Sequence, residues 1–191
     1  FNKSVKVNFE GGNLTSDAGW LLYKEFDEKI GLSQAITDHL NVNDPGGHDV
    51  HFNDEVMIQK MYQHIAGYHA DDHADELRHE PVLTTILGKE ALASQPTISR
   101  LNQKLDKETM KQLQSVNALM QKRVDIIQPK EHLMLDLDST NLATYGEQQG
   151  SAFNTHYQAQ GYHPLMMFDG LTGDCLKAEL RAGHVYTSRQ V

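Results

Sequence analysis

The sequence predicts an α+β protein, mainly helical over residues 1–130 and strand-forming from about residue 131. Three observations predict it. Before Pro129, apolar residues recur at three- and four-residue spacing, the signature of a helix with one buried face. After Pro129 the period drops to two, with Leu133, Leu135 and Leu137 alternating against Met134, Asp136 and Asp138. The length, 191 residues with 39% hydrophobic and 23% charged side chains, suits one large domain or two small ones and argues against wholesale disorder or a fibrous chain.

Taken in order, the first element is a short strand over residues 3–9, with Val5, Val7 and Phe9 on one side and Lys6 and Asn8 on the other. Ser16 or Asp17 caps a helix carrying Trp20, Leu21, Phe26 and Ile30, and Ser33 begins a shorter one through Leu40. Residues 41–49 contain Asp44-Pro45-Gly46-Gly47, turn chemistry that reads as an exposed loop. Asn53 caps the next helix, whose Met57, Ile58, Met61, Tyr62 and Ile65 form one stripe ending near Gly67. A polar helix over residues 70–78 follows, then a short apolar one opened by Pro81 and closed by Gly88. Ser94 precedes a helix with Ile98, Leu101 and Leu105. Asp106 begins a longer one with Met110, Leu113, Asn117, Met120 and Val124, stopped by Pro129. Strands are expected over residues 132–138, 162–168 and 175–180. Asp169-Gly170-Leu171-Thr172-Gly173 turns between the last two, and a Gly- and Gln-rich connection joins the first two.

Composition narrows the function. No apolar run approaches the ~18 residues of a membrane helix, and the N-terminus has no basic region followed by an apolar stretch and a cleavage site. The single cysteine, Cys175, excludes an internal disulfide and fits a reducing cytosol. The chain lacks a starting Met and reads as a piece of something longer. Its net charge of −9 is the wrong sign for a surface that grips phosphate all over, yet the charge is uneven. Residues 1–99 carry 7 basic and 16 acidic side chains, residues 100–130 carry 7 and 3, and residues 131–191 carry 3 and 7. A nucleic-acid backbone would sit most easily on the middle segment; a solvated basic helix face explains the same count.

Three constellations could carry chemistry. Asp136 and Asp138, at i and i+2 on one strand, share a face roughly 6.6 Å apart and suit a hard cation. One strand cannot complete such a site, and Asp138-Ser139-Thr140-Asn141 is equally a turn ending a strand. His69 and His73 have the i, i+4 spacing of a zinc pair, but without CxxC partners a polar helix over the core is the better reading. Ser94, Gln95, Thr97, Ser99 and Arg100 resemble the first turn of a recognition helix in a helix-turn-helix over residues 81–105, where side chains meet base edges and amides meet phosphate. The connection from Leu87 is longer than usual, so a capped core helix stays open as the alternative. With Lys104 and Lys111 these residues form the candidate DNA-binding set.

Several segments together resemble bacterial insertion-sequence DDE transposases, of the class called transposase DDE domain group 1. They are Leu14-Thr15-Ser16-Asp17-Ala18-Gly19; Ala66-Gly67-Tyr68 with Asp72-His73-Ala74-Asp75-Glu76-Leu77-Arg78; Leu92-Ala93-Ser94-Gln95-Pro96-Thr97-Ile98-Ser99-Arg100-Leu101; Asp136-Leu137-Asp138-Ser139-Thr140; Tyr145-Gly146; Tyr162-His163-Pro164-Leu165; and Ala178-Glu179-Leu180-Arg181-Ala182-Gly183. Their order covers nearly the whole chain. The resemblance implies a ribonuclease H-like catalytic domain over residues 131–191, beginning here and continuing beyond them, after a helical DNA-binding region over residues 1–130. It makes Asp138 the first catalytic and metal-binding carboxylate, with Asp136 as runner-up, and puts the second Asp and the Glu after Val191. It implies Mg²⁺ or Mn²⁺, double-stranded DNA as substrate, no membrane, and a cytoplasmic, nucleoid-associated bacterial protein. Such a chain holds one third of the metal site and is expected not to cut DNA alone. A sheet opening with three strands leaves an edge uncovered, which favours a homodimer or strand exchange. Two other classes stay open: a non-catalytic DNA-binding or regulatory fragment, and a metal-binding module using His69 and His73.

Overall fold

The computed structural model describes residues 12, 14–46 and 50–189. The strand expected over residues 3–9 lies outside them. Among the described residues the protein is α+β, with seven helices followed by two small antiparallel sheets. The chain divides into two compact units, Phe1–Val116 and Asn117–Val191.

In the first unit, α1 (Trp20–Ile30) and α2 (Leu32–His39) are separated by Gly31, whose φ of 68° is the left-handed conformation that ends one helix and admits the next. Helix α3 (Asn53–Ile65) starts one residue earlier than a cap at Asn53 would allow. Phe52 is its N-cap, and the Phe52 N–H donates to Glu55 Oε2 at 3.0 Å. The buried face of α3 is Val56, Ile58, Gln59, Tyr62 and Gln63, while Ile65 is exposed, so the expected apolar stripe is rotated. The cause is polar. Gln59 donates to Ala93 O at 2.9 Å and accepts from Ala93 N–H at 2.8 Å, an amide pair that costs little to bury because both partners are satisfied.

Helix α4 is only His73–Glu76, much shorter than the polar helix expected there. Helices α5 (Pro81–Leu87) and α6 (Gln95–Lys104) follow as expected, with Pro81 and Pro96 in their first turns and Gly88 closing α5 at φ 65°. Helix α6 packs on α3 and α4, and α5 packs on α1. Val56, Ala74, Ala93, Ile98 and Leu101 make the core between them. Helix α7 (Lys107–Ile127) opens with Asp106 Oδ1 accepting the Glu108 and Thr109 N–H groups, both at 2.9 Å.

In the second unit the larger sheet has the order β1 (Leu135–Ser139), β5 (Leu165–Asp169), β6 (Cys175–Glu179). β1 begins three residues later than expected because its partner β5 reaches only Asp169, opposite Leu135. The strand expected over residues 162–168 is divided at His163-Pro164. Pro164 has no N–H to donate, and the chain passes there from the smaller sheet into the larger. That smaller sheet, ordered β2 (Leu142–Ala143), β4 (Ala159–Tyr162), β3 (Ala152–Asn154), forms within the Gly- and Gln-rich connection. No described strand pairs the outer edge of β1, and Leu135 and Leu137 are exposed along it.

Candidate functional site

The register of β1 on β5 sets the faces of the larger sheet. Asp136 lies opposite Phe168 and Asp138 opposite Met166, so both aspartates share one face with those side chains. Both are exposed, and among the described residues neither meets a Lys or Arg within ion-pair distance. The Ser139 N–H donates to Asp138 Oδ1 at 2.8 Å, within β1. Ser139 Oγ stands 2.6 Å from Thr187 Oγ1, which brings the segment after β6 against the end of β1.

Asp169 and Glu179 fall on the opposite face, paired with Leu135 and Leu165 respectively. Asp169 is fully buried beneath that face, its Oδ2 2.9 Å from Lys130 Nζ, and its Oδ1 accepts the Leu171 N–H at 3.0 Å. Lys130 also reaches Asp174 Oδ2 at 3.1 Å. The Lys130 ammonium, then the Leu171 N–H, hold the Asp169 carboxyl below the ordinary carboxylate range, and Asp169 in turn raises Lys130. The Thr172 hydroxyl, followed by Lys130, lowers Asp174. This cluster locks the β5–β6 turn, and the Gly170 N–H donates to Met134 O at 2.7 Å to fix the approach to β1. Nothing in the alternation of residues marked Asp169 as buried.

The candidate DNA-binding residues cluster on α6 and the start of α7, and several are engaged internally. Lys104 Nζ binds Asp44 Oδ2 at 2.5 Å, and Lys104 with the Asn53 amide holds the Asp44 carboxyl down at about 2. Asp75 Oδ1 accepts the Gln95 N–H at 3.0 Å, so a carboxylate already occupies the amide end of α6. Arg100 is exposed and donates to Thr97 Oγ1 at 3.0 Å, Ser94 Oγ lies 3.2 Å from Thr97 Oγ1, and Ser99 is half-buried. Lys111 pairs with Glu108 at 3.2 Å on an open surface, where such a pair is worth little. Arg100 and Lys111 are therefore the members of the set most open to a phosphate.

His69 and His73 do not share a helix face, since α4 begins at His73. The His69 ring meets His64 at 5.6 Å and the His73 ring meets Tyr68 at 5.4 Å. Among the described residues no group of three His, Cys, Asp or Glu is placed to hold a metal ion. Two motif segments outside the strands meet each other: Tyr68 donates to Asp17 Oδ2 at 2.9 Å and lies 5.9 Å from the Trp20 ring. Asp17 raises the Tyr68 hydroxyl in consequence.

The chain thus presents a helical unit followed by antiparallel strands, with an exposed Asp-x-Asp on the first of them. The family model described as Transposase DDE domain group 1 matches residues 1–191, and the chain belongs to that family. Nothing matches among curated proteins or among solved structures. Among the described residues no helix is long and apolar enough to cross a membrane.

Proposed function

We propose that the chain works on double-stranded DNA as part of a DDE transposase, in metal-dependent strand cleavage and transfer at insertion-sequence ends. The observation that carries this is the pair Asp136 and Asp138, exposed and unneutralised on one face of β1 in a chain of this family. Buried or salt-bridged carboxylates serve the fold; a carboxylate pair left open on a strand is available to a cation. The larger sheet is read as the opening of a ribonuclease H-like domain over residues 131–191, preceded by a DNA-binding region over residues 1–130.

The donor chemistry fits Mg²⁺ or Mn²⁺ in kind, because carboxylate oxygens suit hard cations, but two carboxylates fall short of a full ligand set. When bound, such ions activate an attacking oxygen and stabilise the charge that develops on phosphate. In this reading Asp138, with Asp136 beside it, supplies ligand oxygens; the remaining ligands come from elsewhere in the enzyme. Duplex DNA is held by Arg100 and Lys111, with Ser94, Gln95, Thr97 and Ser99 near the first turn of α6. The uncovered edge of β1 favours pairing with a second copy, which sedimentation reads directly.

The test is duplex binding as a function of salt. Every phosphate that a side chain no longer neutralises takes roughly 0.9 off the log–log slope, so Arg100→Ala and Lys111→Ala are each expected to flatten it by about that amount. An unchanged slope in both variants rejects this surface.

A further inference from the structure

The second unit contains a groove that the carboxylate strand does not account for. It has a volume of 590 Å³, within the range of small-ligand pockets, and lies between the β3–β4 hairpin and residues 183–188. Phe153, His156, Tyr157, His163, His184 and Tyr186 contribute six rings to it. None of its twelve lining residues is Asp or Glu, in a chain that carries 26 of them.

The groove is built rather than accidental. Asn154 is buried; its Nδ2 donates to Gly183 O at 2.7 Å, and its Oδ1 accepts the His156 and Tyr157 N–H groups at 2.9 and 3.2 Å. A Cβ on Gly183 would lie 2.1 Å from Ala152 O, so only glycine lets the two walls close. His163 is buried and its Nδ1 lies 2.7 Å from Val185 O; a carbonyl can only accept, which puts the proton on Nδ1. Buried Arg181 donates through Nη1 to the Tyr186, Thr187 and Arg189 carbonyls and holds that wall in shape. Tyr157 meets His156 and His163 edge-on, at 83° and 65°, so these contacts leave it outside any face-to-face stack, and it is 41% exposed; Tyr186 is 75% exposed.

We propose that this groove seats an unpaired nucleotide of a DNA strand, its base stacked against Tyr157 and Tyr186. Ring faces accept any base, and a lining free of carboxylates admits the phosphate that a base brings with it. The groove also adjoins the functional strand: Thr187, in its wall, stands 2.6 Å from Ser139, next to Asp138. This rests on the transposase reading for its biological meaning, and extends it by naming a site for single-stranded DNA apart from the duplex surface on α6.

The probe is a short single-stranded DNA carrying 2-aminopurine, titrated with the full chain and read by fluorescence, beside an unlabelled duplex read by gel shift. Stacking is expected to quench the emission. Tyr157→Leu and Tyr186→Leu are each expected to weaken single-strand binding about tenfold, with melting temperature and duplex binding unchanged. Quenching that persists in both variants, or no single-strand binding while the duplex still binds, overturns the groove and leaves the duplex reading standing. Quenching that the variants abolish, with no duplex binding, supports the groove and rejects the duplex surface. Binding to neither overturns both. Tyr186 is the more exposed, so its variant decides the matter where Tyr157→Leu fails to fold.

Discussion

The two units spend their carboxylates differently. In the helical unit Asp17 accepts from Tyr68, Asp27 from Tyr62 and Ser33, Asp44 from Lys104 and Asn53, Asp71 from Lys60 and Asn102, and Asp75 from the first amide of α6. In the sheet unit Asp169 and Asp174 are spent on Lys130, whereas Asp136 and Asp138 are left without a cation. In the unit with more acidic residues, many carboxylates are thus already engaged by hydrogen bonds or ion pairs. Acidic content alone is a poor guide to a cation site; what matters is which carboxylates the fold has already neutralised.

The largest effect that could break this comparison is catalytic. In the complete enzyme, Asp138→Asn is expected to lower metal-dependent cleavage of an end-containing duplex by several orders of magnitude while end binding and melting temperature stay unchanged. A gel assay with labelled duplex checks it. Loss of melting temperature in the same variant would place Asp138 among the structural carboxylates instead.

Next in size is the helical core. Leu101 is buried among Val56, Ala74, Ala93 and Ile98, and Leu101→Ala should cost about 2–5 kcal/mol in denaturant unfolding. Tyr62→Phe removes a hydroxyl that donates to buried Asp27 at 2.8 Å and should cost about 1–3 kcal/mol. Burial, with Asp27 beside it, already pushes that hydroxyl well above the ordinary tyrosine range.

Acid sensitivity sharpens the comparison further. Asp44 is held down at about 2 by Lys104 and Asn53, from an ordinary value of 3.8. Its folded-state value is depressed, so the stability it contributes is present above pH ~4 and is lost as the pH falls from there towards about 2. Asp44→Asn should flatten the acid limb of the stability curve in that window. The same substitution releases Lys104 to meet phosphate and should steepen the salt dependence of duplex binding by up to about 0.9, the smallest of these effects. Lys104→Ala in the otherwise unaltered chain should leave the slope nearly unchanged, because its charge is already taken.

Much of this was legible in the residues, and the parts that were not share a cause. β1, β5 and β6 follow from alternation and from the turn at residues 169–173; α6 and α7 follow from Ser94, Pro96 and Asp106. The smaller sheet was not legible: its strands are two to four residues long, carry no apolar period, and depend on Gly161 passing close to Leu142 O. The buried Gln59 has no local signal because its partner, Ala93, lies 34 residues away and binds through its backbone. Asp169 read as an ordinary turn residue because the Lys130 that buries with it belongs to the connection after α7. The shared face of Asp136 and Asp138 follows from period alone, while the groove, assembled from residues 153–163 and 183–188, has no local signal.

The exposed pair Asp136 and Asp138, on one face of β1, is the pair we propose meets a divalent cation. Mn²⁺ titrated into the isotope-labelled chain tests this most directly, since the ion broadens nearby amide signals in NMR spectra. At millimolar-order metal, the weak end of oxygen-ligand sites, broadening should centre on residues 136–139 and vanish in Asp138→Asn. Broadening that centres instead on Asp71 to Glu76, or on Asp169 and Asp174, and survives that substitution would contradict the account.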